Sequence, residues 1–501
     1  MPVPNTLAML IAVRAAALTL DAIPVLAIAF TLQQTYQLLV GDVVATQYDS
    51  TTTLGTIKSI LPYYFSIETA FLVYFYLQSK RLQAPVPPAP MSVGERGKIF
   101  YKVLDSTGTK FEEFFSGWFY WNSTKRQLTP SELHVIRRDN IRDWLAWSFF
   151  SVSSYAELES DPERVSELNG FIADMEMMKG TRFHPGKNLD ISPVILNYNP
   201  IAAKPKPLIL YAFIWSLEAF GLLLMTLLGF KRVTPIDRPY HHDSEATLNY
   251  WVYMPKSYSD KSTQSRQDDK LPIVFLHGIG CGLFPYVHFI YSIMSHMRFS
   301  RPVFVIEFPH VSMKLHDHAH VIGHSLGTTI ACWLVKYSKY AASCVLLDPV
   351  TFMYLLPSLA FSFVHRKPGY NTDVTKADEY LLYWLCSREL YTANAITRHF
   401  RWHHSLIWPE NLPKNHHVVV GKRDFLFDGT SVADYLAEHD VDYKLYDTAH
   451  AEFMLRPRIT TEIVAKIAQV CNSADLEFAL SNVAAKSVRG NVRKSVRRRR
   501  A

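Results

Sequence analysis

Three long apolar stretches punctuate the first half of the chain: Leu7–Leu32, Ser59–Leu77 and Pro207–Phe230. A helix needs about 20 apolar residues to cross the hydrocarbon core of a bilayer, so the pattern predicts three membrane-spanning helices. Each stretch keeps an acid near its middle, Asp21, Glu68 or Glu218. Arg14 stands two helical turns before Asp21, on nearly the same face. Charge at bilayer depth costs about 2.5–3.5 kcal/mol or more. The three helices are therefore expected to bundle, with Arg14 paired to at least one acid.

The pattern between the spans is mixed. Gln83–Pro90 reads as an extended, semi-rigid proline-rich spacer within a helical intermediate region over 83–206. A helix is predicted from Ser131, as N-cap after Pro130, to Phe150. From Leu248 the periodicity changes to short β-branched and aromatic runs. Candidate strands are Leu248–Met254, Ile273–Leu276, Val303–Phe308, His320–Gly323, Cys344–Leu347, His417–Val420 and Asp442–Tyr446. Such buried runs alternating with helical stretches predict an α/β domain over 240–472, a mainly parallel sheet with helices on both faces. The polar run Asp260–Asp269 reads as a surface loop, and the aromatic-rich insertion 350–415 as an α-helical cap.

Composition adds to this picture. Charged residues make up only 19% of the chain, against about 25% in an average soluble protein, which favours membrane segments over disorder. The five cysteines are scattered without a C-x-x-C spacing, so neither a disulfide framework nor a zinc site is implied. The net charge of +7 resides in the tail, where eight cations and no acid lie between Lys486 and Arg500. Residues 473–501 are thus expected to be a disordered basic tail attracted to anionic lipid head groups. No aromatic stacking platform accompanies the charge, so nucleic acid is not an expected partner.

The chemistry concentrates at Gly323-His324-Ser325-Leu326-Gly327, a G-x-S-x-G sequence that follows the apolar Val321-Ile322 and opens an apolar helix. A serine on a tight strand-to-helix turn needs small residues two positions either side, hence Gly323 and Gly327. The helix start then directs N–H groups at a developing oxyanion. Upstream, Leu276-His277-Gly278-Ile279-Gly280 ends another strand, and in this geometry the Ile279 and Leu326 amides form the oxyanion hole, with Gly278 a structural glycine of the turn. Asp424 follows one later strand and His450 the next, giving the order Ser, Asp, His. His450 would act as base and Asp424 would hold its tautomer. Asp348 and Asp428 are alternative acids.

On these residues the stretch resembles the α/β-hydrolase superfamily, over about 230 of the 501 residues. Together with the apolar spans it looks like the membrane-anchored α/β-hydrolase-fold proteins common in fungi. The resemblance implies a serine esterase or lipase acting on a hydrophobic ester through an acyl-serine, needing no cofactor or metal. It also implies a multi-pass or three-span membrane location, an endomembrane being expected. A serine at the elbow argues against the dehalogenase and epoxide-hydrolase branches. An acyltransferase with the same triad is one alternative, and an inactive scaffold another. The scaffold is motivated by the short segment Pro309–Ala319, which leaves little room for the helix that the superfamily places there. His316, His318, His320 and His324 imitate a metal site without a ligand motif.

Overall fold

A computed structural model describes residues 3–40, 52–234, 249–256, 270–279, 282–307, 319–338, 341–352, 357, 361, 376–399 and 402–498, the side chains of 54, 55, 58 and 481–498 excepted. The loop expected at 260–269, most of 309–319, His316, His318 and the middle of the 350–415 insertion lie outside the described residues. The chain divides into two compact units, Val3–Ile214 with Leu355–His403, and Trp215–Tyr354 with His404–Ala501.

The first unit opens with α1 (Leu7–Val40) and α2 (Thr53–Arg81). Both exceed the expected spans, and both are long and apolar enough to cross a membrane. They pair through Thr31 and Thr69, whose hydroxyl oxygens lie 2.9 Å apart, and through the Phe30 and Phe65 rings at 5.2 Å. The expected partners of the buried charges are corrected here. Arg14 lies over the ring of Tyr380 rather than against an acid, while Asp21 meets Lys206 at 3.5 Å and accepts from Trp384 Nε1 at 2.9 Å. Glu68, fully buried, accepts the Leu208 amide at 2.9 Å and the Tyr64 hydroxyl at 2.9 Å. A carboxylate is thereby placed at the N-terminus of the third apolar helix, where free N–H groups and the helix dipole favour it.

The intermediate region contains α3 (Val93–Ser106), α4 (Phe111–Ser116), β1 (Phe119–Trp121), α5 (Arg138–Phe150), α6 (Pro162–Lys179) and β2 (Ile191–Pro193). The helix predicted from Ser131 is interrupted. A 3-10 turn spans Pro130–Val135, with Thr129 in place of Ser131 as its cap and the Glu132 carboxylate accepting from the Thr129 amide and hydroxyl, and α5 starts afresh after an extended Ile136. The core here is aromatic. Phe100 stacks on Phe171 at 4.2 Å, and Phe149 meets both Phe171 and Trp402 edge-on. The proline-rich stretch is tied down, since Gln83 exchanges two hydrogen bonds with Ile201 and Arg398 donates to the Gln83 carbonyl.

The third apolar helix, α7 (Leu208–Leu227), also has the length and apolarity to span a bilayer. The second unit takes over within it, at Trp215. Met225 is fully buried in this unit's core beside Phe230 and Phe289, and Gly221 sits so close to Phe284 that a Cβ would lie 2.8 Å from its Cα. The α/β domain therefore begins before residue 240. It includes half of α7 and the edge strand β3 (Lys231–Val233), which was not predicted because two of its three residues are basic.

The strands that follow are β4 (Tyr250–Tyr253), β5 (Ile273–Leu276), β6 (Val303–Ile306), β7 (Ala319–His324), β8 (Ala341–Leu347), β9 (His416–Gly421) and β10 (Tyr443–Tyr446). Their order across the sheet is β3-β4-β6-β5-β7-β8-β9-β10, with β4 antiparallel to both neighbours and the other pairs parallel. Every position of β5 and β7 is buried, so both sheet faces are covered. The connecting helices are α8 (Val287–His296), α9 (Gly327–Tyr337), then α10 (Ala377–Leu382) and α11 (Leu390–Arg398) in the insertion, α12 (Gly429–Glu438) and α13 (Pro457–Arg498). This succession of strands is the α/β-hydrolase fold.

Two further boundaries differ from the sequence reading. Of the 350–415 insertion, Leu355–His403 groups with the first unit, and only its two ends group with the second. There Trp402 donates to the Ser148 carbonyl, and buried Arg398 donates to the carbonyls of Leu196, Asn197 and Asn199. The fold also does not end at 472, because α13 continues through the predicted tail. Its Asp475 receives Arg301 at 3.0 Å and lies 3.2 Å from His320 Nε2, which holds that turn on the sheet.

Candidate active site

The turn that carries Ser325 follows from packing at the C-terminal ends of the parallel strands. At the end of β7, Gly323 lies level with Leu276 of β5 and Leu346 of β8. Two residues on, just past the end of β7, Ser325 takes a left-handed φ of 53° and anchors its amide to the Leu347 carbonyl at 3.0 Å. A non-glycine residue is uncommon there and costs of order 1–3 kcal/mol. Gly327 explains why the turn can close, since a Cβ at that position would lie 2.2 Å from the Leu276 carbonyl oxygen. Gly323 is similarly hemmed in by Ala331 and the Gly327 backbone at 3.0 Å.

Two further loops converge on this turn. Asp424 lies just beyond β9, its side chain fully buried, with Oδ1 accepting the Leu426 amide at 2.9 Å. His450 lies just beyond β10. Its Nε2 is 2.8 Å from Ser325 Oγ, and its Nδ1 is 2.6 Å from Asp424 Oδ2. Residues 125 positions apart in sequence thus form one hydrogen-bonded chain. Arg423 binds the two loops together, donating to the Asp447 carboxylate at 2.8 Å and to Glu452 at 2.9 Å.

Burial pushes the His450 pKa down, but the charge and hydrogen bond of Asp424 outweigh it and leave the pKa raised. Burial raises Asp424 itself, against the lowering influence of His450. With Asp424 accepting at Nδ1, the free electron pair of a neutral His450 lies on Nε2, facing the serine. That is the tautomer general-base catalysis needs.

The alternative acids serve other contacts. Asp428 caps α12, accepting the Thr430 amide at 3.0 Å and the Ser431 hydroxyl at 2.8 Å. Asp348 is fully buried and receives the Gly421 amide on Oδ1 at 3.0 Å and the Ala451 amide on Oδ2 at 2.7 Å. Asp348, Asp424 and His450 bring potential metal-ligating atoms within 4.8 Å of one another. Protein groups already engage them: both Asp348 oxygens hold amides, and both imidazole nitrogens are occupied. His320 likewise spends its nitrogens on Ser343 and Asp475.

Gly278 places the upstream turn directly against Ser325, since a Cβ there would lie 2.8 Å from Ser325 Cβ. Ile279 follows it, and Leu326 opens α9 on the other side of the serine. Sequence reasoning gave no role to Tyr286, whose hydroxyl accepts the Gly278 amide at 2.9 Å and lies 2.9 Å from His324 Nδ1. In the sequence His324 stands out only as one of the histidines that imitate a metal site. Neither residue has a diagnostic spacing, and only the folded geometry brings them together.

No protein-family model and no curated protein sequence matches the chain. Among solved structures, the chain is similar to an S-formylglutathione hydrolase from Staphylococcus aureus at 15% identity, covering 48% of this chain and 98% of that one, with a TM-score of 0.29. An esterase from Pyrococcus furiosus matches at 14% identity over 48% and 92% of the two chains, with a TM-score of 0.30. A bacterial membrane phospholipase A matches at 14% identity over 53% and 94%, with a TM-score of 0.35. At these scores the likenesses carry no weight for activity or substrate, and the fold rests on the strand order and register.

Proposed function

We propose that the second unit is a serine hydrolase that cleaves a hydrophobic carboxylic ester through an acyl-serine intermediate. The continuous chain from Asp424 through His450 to Ser325 carries this reading. His450 Nε2 takes the Ser325 proton as Oγ attacks the acyl carbon, and Asp424 stabilises the imidazolium that forms. The amides of Ile279 and Leu326 receive the oxyanion. Collapse of the tetrahedral adduct expels the alcohol, which takes the proton back from His450. Water then repeats the sequence on the acyl-enzyme and regenerates the serine.

The three apolar helices support a membrane-anchored enzyme, and anchoring supports an ester presented by lipid. The basic run from Lys486 to Arg500 would add attraction to anionic head groups, at about 1 kcal/mol per cation near the surface. Membrane fractions containing the full chain should hydrolyse p-nitrophenyl esters. Ser325→Ala and His450→Ala should each lower kcat at least about 10³-fold. Ester turnover that persists in Ser325→Ala would reject the assignment.

A further inference from the structure

Beside the proposed triad runs a second buried chain of polar groups that the mechanism above does not use. It begins at the Gly278 amide, which donates to Tyr286 Oη at 2.9 Å, and continues from Tyr286 Oη to His324 Nδ1 at 2.9 Å. On the far side of the ring, His324 Nε2 is buried without a hydrogen-bond partner and faces Asp348 Oδ2 at 3.9 Å. That same Asp348 oxygen accepts the amide of Ala451, the residue after His450. The chain therefore starts at the turn leading to Ile279 and ends at the loop carrying the base. The His324 and His450 rings lie 5.4 Å apart, so the two arrays run side by side.

We infer that Tyr286 and His324 are positioning residues for the hydrolytic reaction, fixing the Gly278–Ile279 turn against Ser325 so that the Ile279 amide is held ready for the oxyanion. This rests on the serine-hydrolase reading and extends it to two residues with no part in the triad. Gly278 is the point of convergence. A Cβ there would lie 2.8 Å from Ser325 Cβ, 3.0 Å from Tyr286 Oη and 3.2 Å from His324 Nδ1, so only glycine lets the turn approach all three.

Proton placement follows from chemistry. Burial keeps Tyr286 as a phenol, with its pKa raised, and His324 as a neutral imidazole, with its pKa lowered. The phenol accepts from Gly278 and donates its only proton to His324 Nδ1, leaving the imidazole proton on Nε2 toward the Asp348 carboxylate. Each group then has one compatible role, and the array has a single direction. Loss of the phenol oxygen would free the peptide plane before Gly278 to rotate. An oxyanion donor held about 1 Å from its working position loses much of its effect, because such stabilisation depends on donors fixed in advance.

The test compares full-chain variants in detergent using a soluble short-chain ester. Tyr286→Phe keeps the ring and removes the hydroxyl, and should lower kcat about 10–100-fold with KM within about twofold of wild type. His324→Leu should do the same. His324→Asn, which restores an acceptor near the Nδ1 position, should recover most of the lost kcat. Thermal midpoints and fluorophosphonate titration of functional serines accompany each measurement, so that kcat refers to folded sites. If Tyr286→Phe does not fold, the His324→Leu and His324→Asn pair decides.

Wild-type kcat per titrated site in folded Tyr286→Phe or His324→Leu would overturn the inference, as would an Asn variant no better than Leu. If the wild-type chain neither titrates nor turns over, the hydrolase reading itself fails. That outcome differs from wild-type activity with silent variants, which removes only the positioning role.

Discussion

Asp424 and Asp348 are both buried aspartates within reach of one histidine, yet their contacts separate them. Asp424 spends one oxygen on His450 Nδ1, whereas Asp348 spends both on backbone amides that hold the Gly421 and Ala451 turns. Sequence order left both open as the acid, because each follows a parallel strand. In the proposed mechanism His450 must be neutral to accept the serine proton, so kcat/KM falls as pH drops through its pKa. Asp424 raises that pKa above the ordinary imidazole value. Asp424→Asn removes the larger raising influence and leaves burial, which lowers it, against the weaker raising charge of Asp348, so the acid limb of the pH profile should move to lower pH. The maximal rate should fall about 10²–10⁴-fold because the tautomer is no longer held. An acid limb that stays in place would show that another group sets it, and the same substitution at Asp348 would then be the one to measure.

Among the elements, those that the sequence revealed best are the interior strands. Ile273–Leu276 is the observed β5, and the observed ends of β7, β8 and β9 lie within about three residues of their apolar runs. Strands buried on both faces have little choice but to be continuously apolar. The edge strand β3 escapes that rule, with Lys231 and Arg232 exposed and only one neighbour to pair with. The elbow was legible for a related reason, since its glycines answer a steric demand that no other residue meets. Gly327→Ala would bring a methyl group against the Leu276 carbonyl and force α9 away from β5. The expected cost is about 1–3 kcal/mol, together with loss of ester turnover in protein that remains folded. A chemical-denaturation midpoint and a rate measured on one preparation check both, and an unaffected rate would contradict the role given to the elbow. The 3-10 turn before α5 was illegible, because its cap, Thr129 with Glu132, imitates the start of one long helix.

For the whole molecule, the departures from the sequence reading are departures of partition. The insertion over 350–415 was expected to cap the α/β domain, yet its stretch Leu355–His403 groups with the first unit, with Trp384 on Asp21 and Arg398 on the 196–199 backbone. Aromatic content alone does not say which surface a segment will cover. Likewise α7 reads from hydropathy as a membrane span bundled with the other two, but from Trp215 onward it belongs to the second unit and buries Met225 in that unit's core. Removing α7 should therefore unfold the second unit rather than release it, whereas deleting residues 1–40 should spare the α7 contacts. If the three helices span a bilayer as proposed, the full chain should pellet with membranes, resist high salt and alkaline carbonate, and leave only with detergent. Release by carbonate would show that the helices do not cross.

The central claim is that Ser325 is an activated nucleophile, and covalent trapping tests it most directly. A fluorophosphonate probe applied to the folded full chain, followed by peptide mapping, should place one adduct on Ser325 and none in Ser325→Ala. Labelling should also slow by at least about 10²-fold in His450→Ala. Folded wild-type protein that takes no probe, or an adduct mapped to any other residue, would contradict the account.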